Sequence, residues 1–147
     1  MKIRTFLAAA GAAVVLGTTG ALVLPAVASA HSGTHTLKFV SVQQKSVNFS
    51  KSSGANQDTD VNAAGKTIGF DMIYFTAVSA TTANVNVTVD TTGGFLYGTG
   101  TLNFKTGAFS NGKVTGGTGS FKGATGTITA KSLNKAGTRT AVTIIYS

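Results

Sequence analysis

Apolar and polar residues alternate along most of the chain with a period of two, which is typical of β-strands. The clearest case is residues 83–90, where Val85, Val87 and Val89 alternate with polar residues. Such a strand buries one face and leaves the other wet or lined by polar groups. No segment shows apolar residues at helical spacing over a useful length, and threonine, valine, glycine and serine are abundant. The pattern therefore predicts an all-β fold.

Strand-like segments recur at regular intervals and are separated by short turns. The predicted strands are residues 34–43, 45–50, 66–78, 83–90, 95–104, 108–116, 124–133 and 138–147. Residues 45–50 either continue the first strand or follow it after a kink. Residues 51–65 have no apolar period and are predicted to form a long loop. About eight short strands indicate an antiparallel up-and-down barrel or a sandwich. The last strand is expected to pair with the first, which would remove exposed sheet edges.

The first thirty residues have a different pattern from the rest of the chain. A basic start, with Lys2 and Arg4, precedes a long Ala/Val/Leu run that ends in Ala28-Ser29-Ala30. This small-x-small ending is what signal peptidase recognises. Glycines and Pro25 interrupt the apolar run, which argues against a membrane anchor. We expect a cleaved signal peptide, a secreted protein and no membrane association after cleavage.

The mature chain, residues 31–147, is long enough for a single domain with a real core. It contains no cysteine, which excludes disulfides and thiolate metal sites. The formal net charge is +8, and loss of the two basic residues of the leader leaves +6. The remaining basic residues are scattered, without interleaved aromatic residues, so no nucleic-acid partner is expected.

The glycine-rich stretch GGTGSFKGATG, residues 116–126, allows three interpretations. A phosphate-binding loop needs a different glycine spacing and a following helix, and here a β-rich segment follows. A flexible linker would not carry Phe121 and Ala124 at strand-like positions. A tight corner whose phenylalanine fills apolar space fits best. The motif residues are Gly116, Gly117, Gly119, Phe121, Gly123, Ala124 and Gly126.

The same stretch carries a resemblance to a known superfamily. TGGTGSFKGATGTIT resembles the signature that links two late strands in allene oxide cyclase and dirigent barrels. GKTIGFDMIYFT, GFLYGTGTLNF and TAVTIIYS resemble other strands of that superfamily more loosely. The resemblance implies an eight-stranded antiparallel up-and-down barrel, often dimeric or trimeric. Its interior would hold a small hydrophobic or phenolic molecule and could guide its cyclisation or coupling.

The chain departs from the superfamily pattern at two catalytic positions. Plant dirigent proteins carry an arginine before the last glycine of the motif, where this chain has Thr125. Allene oxide cyclases use a glutamate from the first strand, and this chain has no glutamate. Enzymatic activity therefore stays open; an enzyme of this type would be an isomerase or cyclase, and no cofactor is expected. The alternative is a non-catalytic extracellular structural or interaction barrel with a filled core.

Few residues could carry chemistry. Asp71 stands within a predicted strand, and if it faced a cavity its pKa would rise and it could act as a general acid. The alternative is that Asp71 points to solvent or pairs with a lysine. Asp58 and Asp60 are expected in a loop at the barrel mouth, where turn chemistry also explains them. The catalytic candidates are Asp71, Tyr74 and Asp60, and the ligand-binding candidates are Asp71, Tyr74, Thr125 and Tyr146.

Cleavage after Ala30 raises one further possibility. It would leave His31 as the new N-terminus, with an amine and an imidazole together, and copper favours such nitrogen ligands. His35 is the only other histidine, and on an extended chain it is poorly placed to face the same metal. A copper site at His31 is thus a minor alternative.

Overall fold

A computed structural model describes residues 33–147, so the predicted signal peptide and His31 lie outside the described residues. These residues form one closed barrel in which each strand pairs antiparallel with the next. The strands are β1 (His35–Asn48), β2 (Ser53–Val61), β3 (Thr67–Ala77), β4 (Thr82–Thr91), β5 (Gly94–Asn103), β6 (Phe109–Gly117), β7 (Gly126–Ser132) and β8 (Arg139–Tyr146). The predicted eight-stranded up-and-down barrel is confirmed.

The last strand closes the barrel against the first. This pairing was predicted from the sequence, and its register runs from His35 opposite Tyr146 to Val42 opposite Arg139. Within residues 33–147 the one helical element is a single 3-10 turn, Gly119–Phe121. Over the same residues, no helix has the length and apolar character needed to cross a membrane.

The first strand agrees with one of its two predicted forms, and the second strand differs from the prediction. Residues 45–50 were predicted to continue the first strand or to follow it after a kink, and β1 does continue, past an irregularity between Gln43 and Lys45. The predicted long loop contains β2. This strand has no apolar period because its inward side chains are polar, so a rule that looks for alternating apolar residues cannot detect it. About eight strands were predicted and eight are present, but residues 51–65 were wrongly predicted to be a loop.

The two ends of the barrel are built differently. At one end, which we call the closed end, the chain turns at residues 62–66, 92–93 and 118–125; the other end is the open end. Apolar side chains fill the closed half, because each strand contributes alternate residues to the interior. The buried cluster consists of Phe39, Val89, Leu96, Val114, Phe121, Ala124, Ile128 and Ile144.

The glycine-rich corner supplies the plug of the closed end. Phe121 is buried, and its ring meets Tyr146 edge-on with centroids 5.4 Å apart. Gly117 lets the chain pass close to Phe121, since a Cβ there would collide with the Phe121 backbone. Gly126 has φ +156°, and a Cβ there would fall on the carbonyl oxygen of Ile145. Glycine is thus needed where the corner meets the neighbouring strand.

Replacing Phe121 with alanine should therefore destabilise the barrel more than replacing an exposed ring. We expect Phe121→Ala to lower the free energy of unfolding by about 3–5 kcal/mol, because it leaves a cavity in the closed end. Phe70→Ala, at a ring that is 49% exposed on the outer face, is the matched control. Urea unfolding of both variants measures the difference, and equal losses would show that Phe121 is not the plug.

Candidate functional site

The open half of the barrel interior contains a cavity of about 580 Å³. Its mouth is formed by the β5–β6 and β7–β8 connections, which include Lys105 and Lys135. Its inner end reaches Phe39 and Ile144, which belong to the buried cluster of the closed half. The cavity is therefore a pocket that enters from one end and stops at the apolar plug.

The wall of the cavity is divided into two chemical halves. One part, contributed mainly by β4, β7 and β8, is apolar. Its residues include Val85, Val87, Val89, Ile128, Val142 and Ile144. The other part, from β1, β2 and the middle of β3, is polar and includes Ser41, Gln43, Asn56, Asp58 and Asp71. A bound molecule would thus meet an apolar surface on one side and hydrogen-bonding groups on the other.

Three carboxyl groups lie inside the barrel on neighbouring strands. Asp58 on β2 is directly opposite Asp71 on β3, and both line the cavity. Asp60 is two residues further along β2, so it shares their inward face but lies nearer the closed end. All three are buried, with 6%, 4% and 1% exposure for Asp58, Asp71 and Asp60. Strand alternation and register together create this cluster.

The cluster is poorly supplied with hydrogen-bond donors. The Ser41 hydroxyl on β1 donates to Oδ2 of Asp58 at 2.7 Å. Oδ1 of Asp58, Oδ1 of Asp71 and both oxygens of Asp60 are buried and have no partner. Every lysine and arginine within residues 33–147 is exposed, so none of these cations compensates the acids inside the barrel. Unpaired buried carboxylates are costly, and they respond by holding protons.

The pKa values of the three acids are accordingly raised. Burial is the main cause at Asp60, and the negative charge of Asp71 raises its pKa further. Burial also raises the pKa of Asp71, with a second contribution from the charge of Asp58. The pKa of Asp58 rises through burial, against the opposing hydrogen bond from Ser41. Asp60 and Asp71 lack a hydrogen-bond donor between them. A proton on Asp60 would supply this donor, and the Asp71 carboxylate would accept the hydrogen bond.

The other candidate residues lie away from the cavity. Tyr74 is on the outer face of β3, 48% exposed, and its ring stacks on Phe49 with centroids 5.6 Å apart. Tyr146 is at the closed end, where its ring contacts Phe121. Thr125 is exposed at the glycine-rich corner. Of the ligand-binding candidates, the structure places only Asp71 on the cavity wall.

The positions expected for the acids need correction. Asp58 and Asp60 are not in a loop at the mouth but in β2, buried inside the barrel. Asp71 neither points to solvent nor pairs with a lysine, since it is buried beside other acids. Ser41, whose hydroxyl donates to Asp58, was not among the sequence candidates. A usable signal was present, because the spacing of Asp58 and Asp60 places both on one face of any strand.

No metal site emerges from the described part of the chain. Within residues 33–147 no group of three or more His, Cys, Asp or Glu side chains has an arrangement that could hold a metal ion. His31 lies outside these residues, so copper binding at a cleaved N-terminus stays a prediction.

Comparison with protein families and with curated protein sequences found no match. Among solved structures, that of a protein named "Pyocyanin demethylase" is similar in fold, with a TM-score of 0.54 and 15% sequence identity. The alignment covers 77% of this chain and 100% of that chain. At this identity the likeness concerns the fold alone.

The cluster makes stability depend on pH in a defined direction. Because the folded pKa of Asp60 lies above its ordinary value of 3.8, the folded state binds more protons than the unfolded state above that pH. The free energy of unfolding should therefore fall as pH rises from about 4 towards alkaline values. Asp60→Asn, which cannot ionise, should raise it by at least about 1 kcal/mol at pH 8 and change it little at pH 4.

Thermal unfolding of both proteins between pH 4 and pH 8 measures this effect. Asp90→Asn, at an exposed acid on the outer face, is the matched control and should have little effect at either pH. If Asp60→Asn raised the free energy of unfolding equally at pH 4 and pH 8, a raised pKa at Asp60 would be contradicted.

Proposed function

We propose that this protein is a ligand-binding barrel whose interior holds one small, largely apolar molecule with a polar group. The observation that carries the proposal is the cavity, with its apolar wall on one side and carboxyl groups on the other. Its volume, about 580 Å³, falls within the range of small-molecule sites in proteins. A structural barrel would need only a filled interior, and the open half is not filled.

We place the chain with the barrels of the allene oxide cyclase and dirigent type as part of this proposal. The support is the glycine-rich corner around Phe121, which resembles their signature, together with the closed eight-stranded barrel. On the resemblance alone, the ligand would be a hydrophobic or phenolic molecule. Pyocyanin, after which the structurally similar protein is named, is a reasonable member of a panel of aromatic candidates.

An isomerase or cyclase activity is the second candidate function. It is favoured by the raised pKa of Asp71, a cavity-lining carboxyl that can hold a proton inside an apolar enclosure. A general acid needs a proton available near the working pH and within reach of the bound molecule. Asp60 would serve as a partner that shares this proton, rather than as a group that touches the ligand.

Binding can be tested with N-phenyl-1-naphthylamine, a neutral aromatic probe that fluoresces in apolar sites. The chain has no tryptophan, so its own emission does not interfere. We expect saturable binding at one site per barrel. Ala130→Phe, which extends a cavity-lining side chain, should weaken binding at least about tenfold by filling the space.

The matched control is Thr129→Phe, which adds the same ring one residue away on the exposed outer face of β7. It should leave the affinity within about twofold of the original. Equal affinity in the original protein and in both variants would place the probe outside the barrel and contradict an interior site. Retained melting cooperativity in Ala130→Phe excludes loss of fold as the cause.

We also propose that the chain is exported and cleaved after Ala30, on the basis of its leader-like first thirty residues. Expression of the full chain in a secreting bacterial host should release a protein that begins at His31. Intact mass of the protein in the medium measures this. A full-length mass in the cell fraction, with none in the medium, would contradict export.

A further inference from the structure

The interior carboxyl groups impose a specific requirement on any bound molecule. Oδ1 of Asp58 and Oδ1 of Asp71 are buried and have no hydrogen-bond partner, and both residues line the cavity. They come from directly opposite positions of neighbouring strands. Two acceptors that lack donors are therefore held side by side at the inner end of the cavity. A ligand that donates only one hydrogen bond would leave one of them unsatisfied.

The negative charge inside the barrel also restricts which ligands can bind there. The interior holds three acids, and every lysine and arginine within residues 33–147 is exposed. Lys105 and Lys135 lie at the mouth, where water screens them, and Ser41 is neutral. One proton shared between Asp60 and Asp71 compensates part of the negative charge. A cation between Asp58 and Asp71 would compensate one of the two negative charges that remain, whereas a carboxylate ligand would add a third.

From these contacts we infer that the ligand is a primary amine bound as its ammonium ion, with an apolar body. The ammonium group would lie between Asp58 and Asp71 and donate to the two unpartnered oxygens. Its third hydrogen remains for Asn56 or for water. The apolar body would extend towards the mouth along the valine and isoleucine side chains of β4, β7 and β8. This inference rests on the proposed function and names the ligand class of the same site.

An ammonium group suits this position better than a hydroxyl group. A phenol or alcohol donates one hydrogen bond and carries no charge, while an ammonium donates three and is charged. Hydrogen bonds between charged partners are about twice as strong as neutral ones. Burial raises the pKa of Asp71 to about 6, so near pH 6 this carboxyl is partly protonated, and binding of the ammonium ion displaces that proton to solvent. Amine binding at pH 6 should therefore be accompanied by measurable proton release.

The test uses three naphthalene probes of similar shape: 2-(1-naphthyl)ethylamine, 2-(1-naphthyl)ethanol and 1-naphthylacetic acid. Their own fluorescence reports binding in a protein without tryptophan. At pH 7.5 the amine should bind at least about tenfold more tightly than the alcohol. The acid should bind more weakly than both. Asp58→Asn and Asp71→Asn should each weaken the amine at least about tenfold and the alcohol by no more than about threefold.

Asp90→Asn is the matched control, because it removes an exposed carboxylate from the outer face of β4. It should leave the affinity for all three probes unchanged. If an interior variant fails to fold, calorimetry of the original protein at pH 6, in buffers of different ionisation enthalpy, replaces it. Proton release with the amine, and none with the alcohol, is the result expected from this measurement.

The possible failures are distinguishable. If the amine and the alcohol bind equally well to the original protein, the inferred ligand class is wrong while the interior site stands. The same holds if the amine keeps its affinity in both interior variants, or if calorimetry detects no proton release with the amine. If none of the three probes and no N-phenyl-1-naphthylamine binds, the proposed function itself fails.

Discussion

Closure of the barrel is the constraint on which the rest of the structure depends. Once β8 pairs with β1, each strand must send alternate side chains into one enclosed interior. Asp58, Asp60 and Asp71 then face the interior and not the outer surface of the barrel. A one-residue shift of β2 would turn Asp58 and Asp60 outwards, but it would move every side chain of that strand to the other face. The register that completes the barrel is therefore the register that buries the acids.

The apolar closed half allows the open half to be hollow. Phe39, Leu96 and Phe121 provide large side chains near the plug and anchor the strands there. Towards the mouth the inward positions include short or polar side chains, such as Ala130 and Ser132 on β7. Stability and binding are thus separated along the barrel axis, and changes near the mouth can alter the cavity without removing the buried cluster.

The sequence predicted the parts of this structure that follow a simple rule. Alternating valines indicated β4, and the position of the final strand predicted its pairing with the first. The same rule failed at β2, because Asp58 and Asp60 take the inward places that apolar residues hold elsewhere. The face of each strand that points into the barrel could not be predicted either. Asp71 and Tyr74 belong to the same strand, yet one lines the cavity and the other lies outside, and only the pairing of neighbouring strands decides which.

The failure at β2 is informative about function. A strand chosen for stability alone would place apolar side chains against the closed half, since buried acids without cations oppose folding. This barrel instead places two acids on β2 and a third on β3, opposite Asp58, and the Ser41 hydroxyl donates to Asp58. Any molecule that compensates these acids in the folded state alone would recover part of the stability that they remove. The destabilisation caused by the acids and the affinity for a cationic ligand would then have the same source. Such a ligand can reach Asp58 and Asp71 because they lie at the inner end of an open cavity.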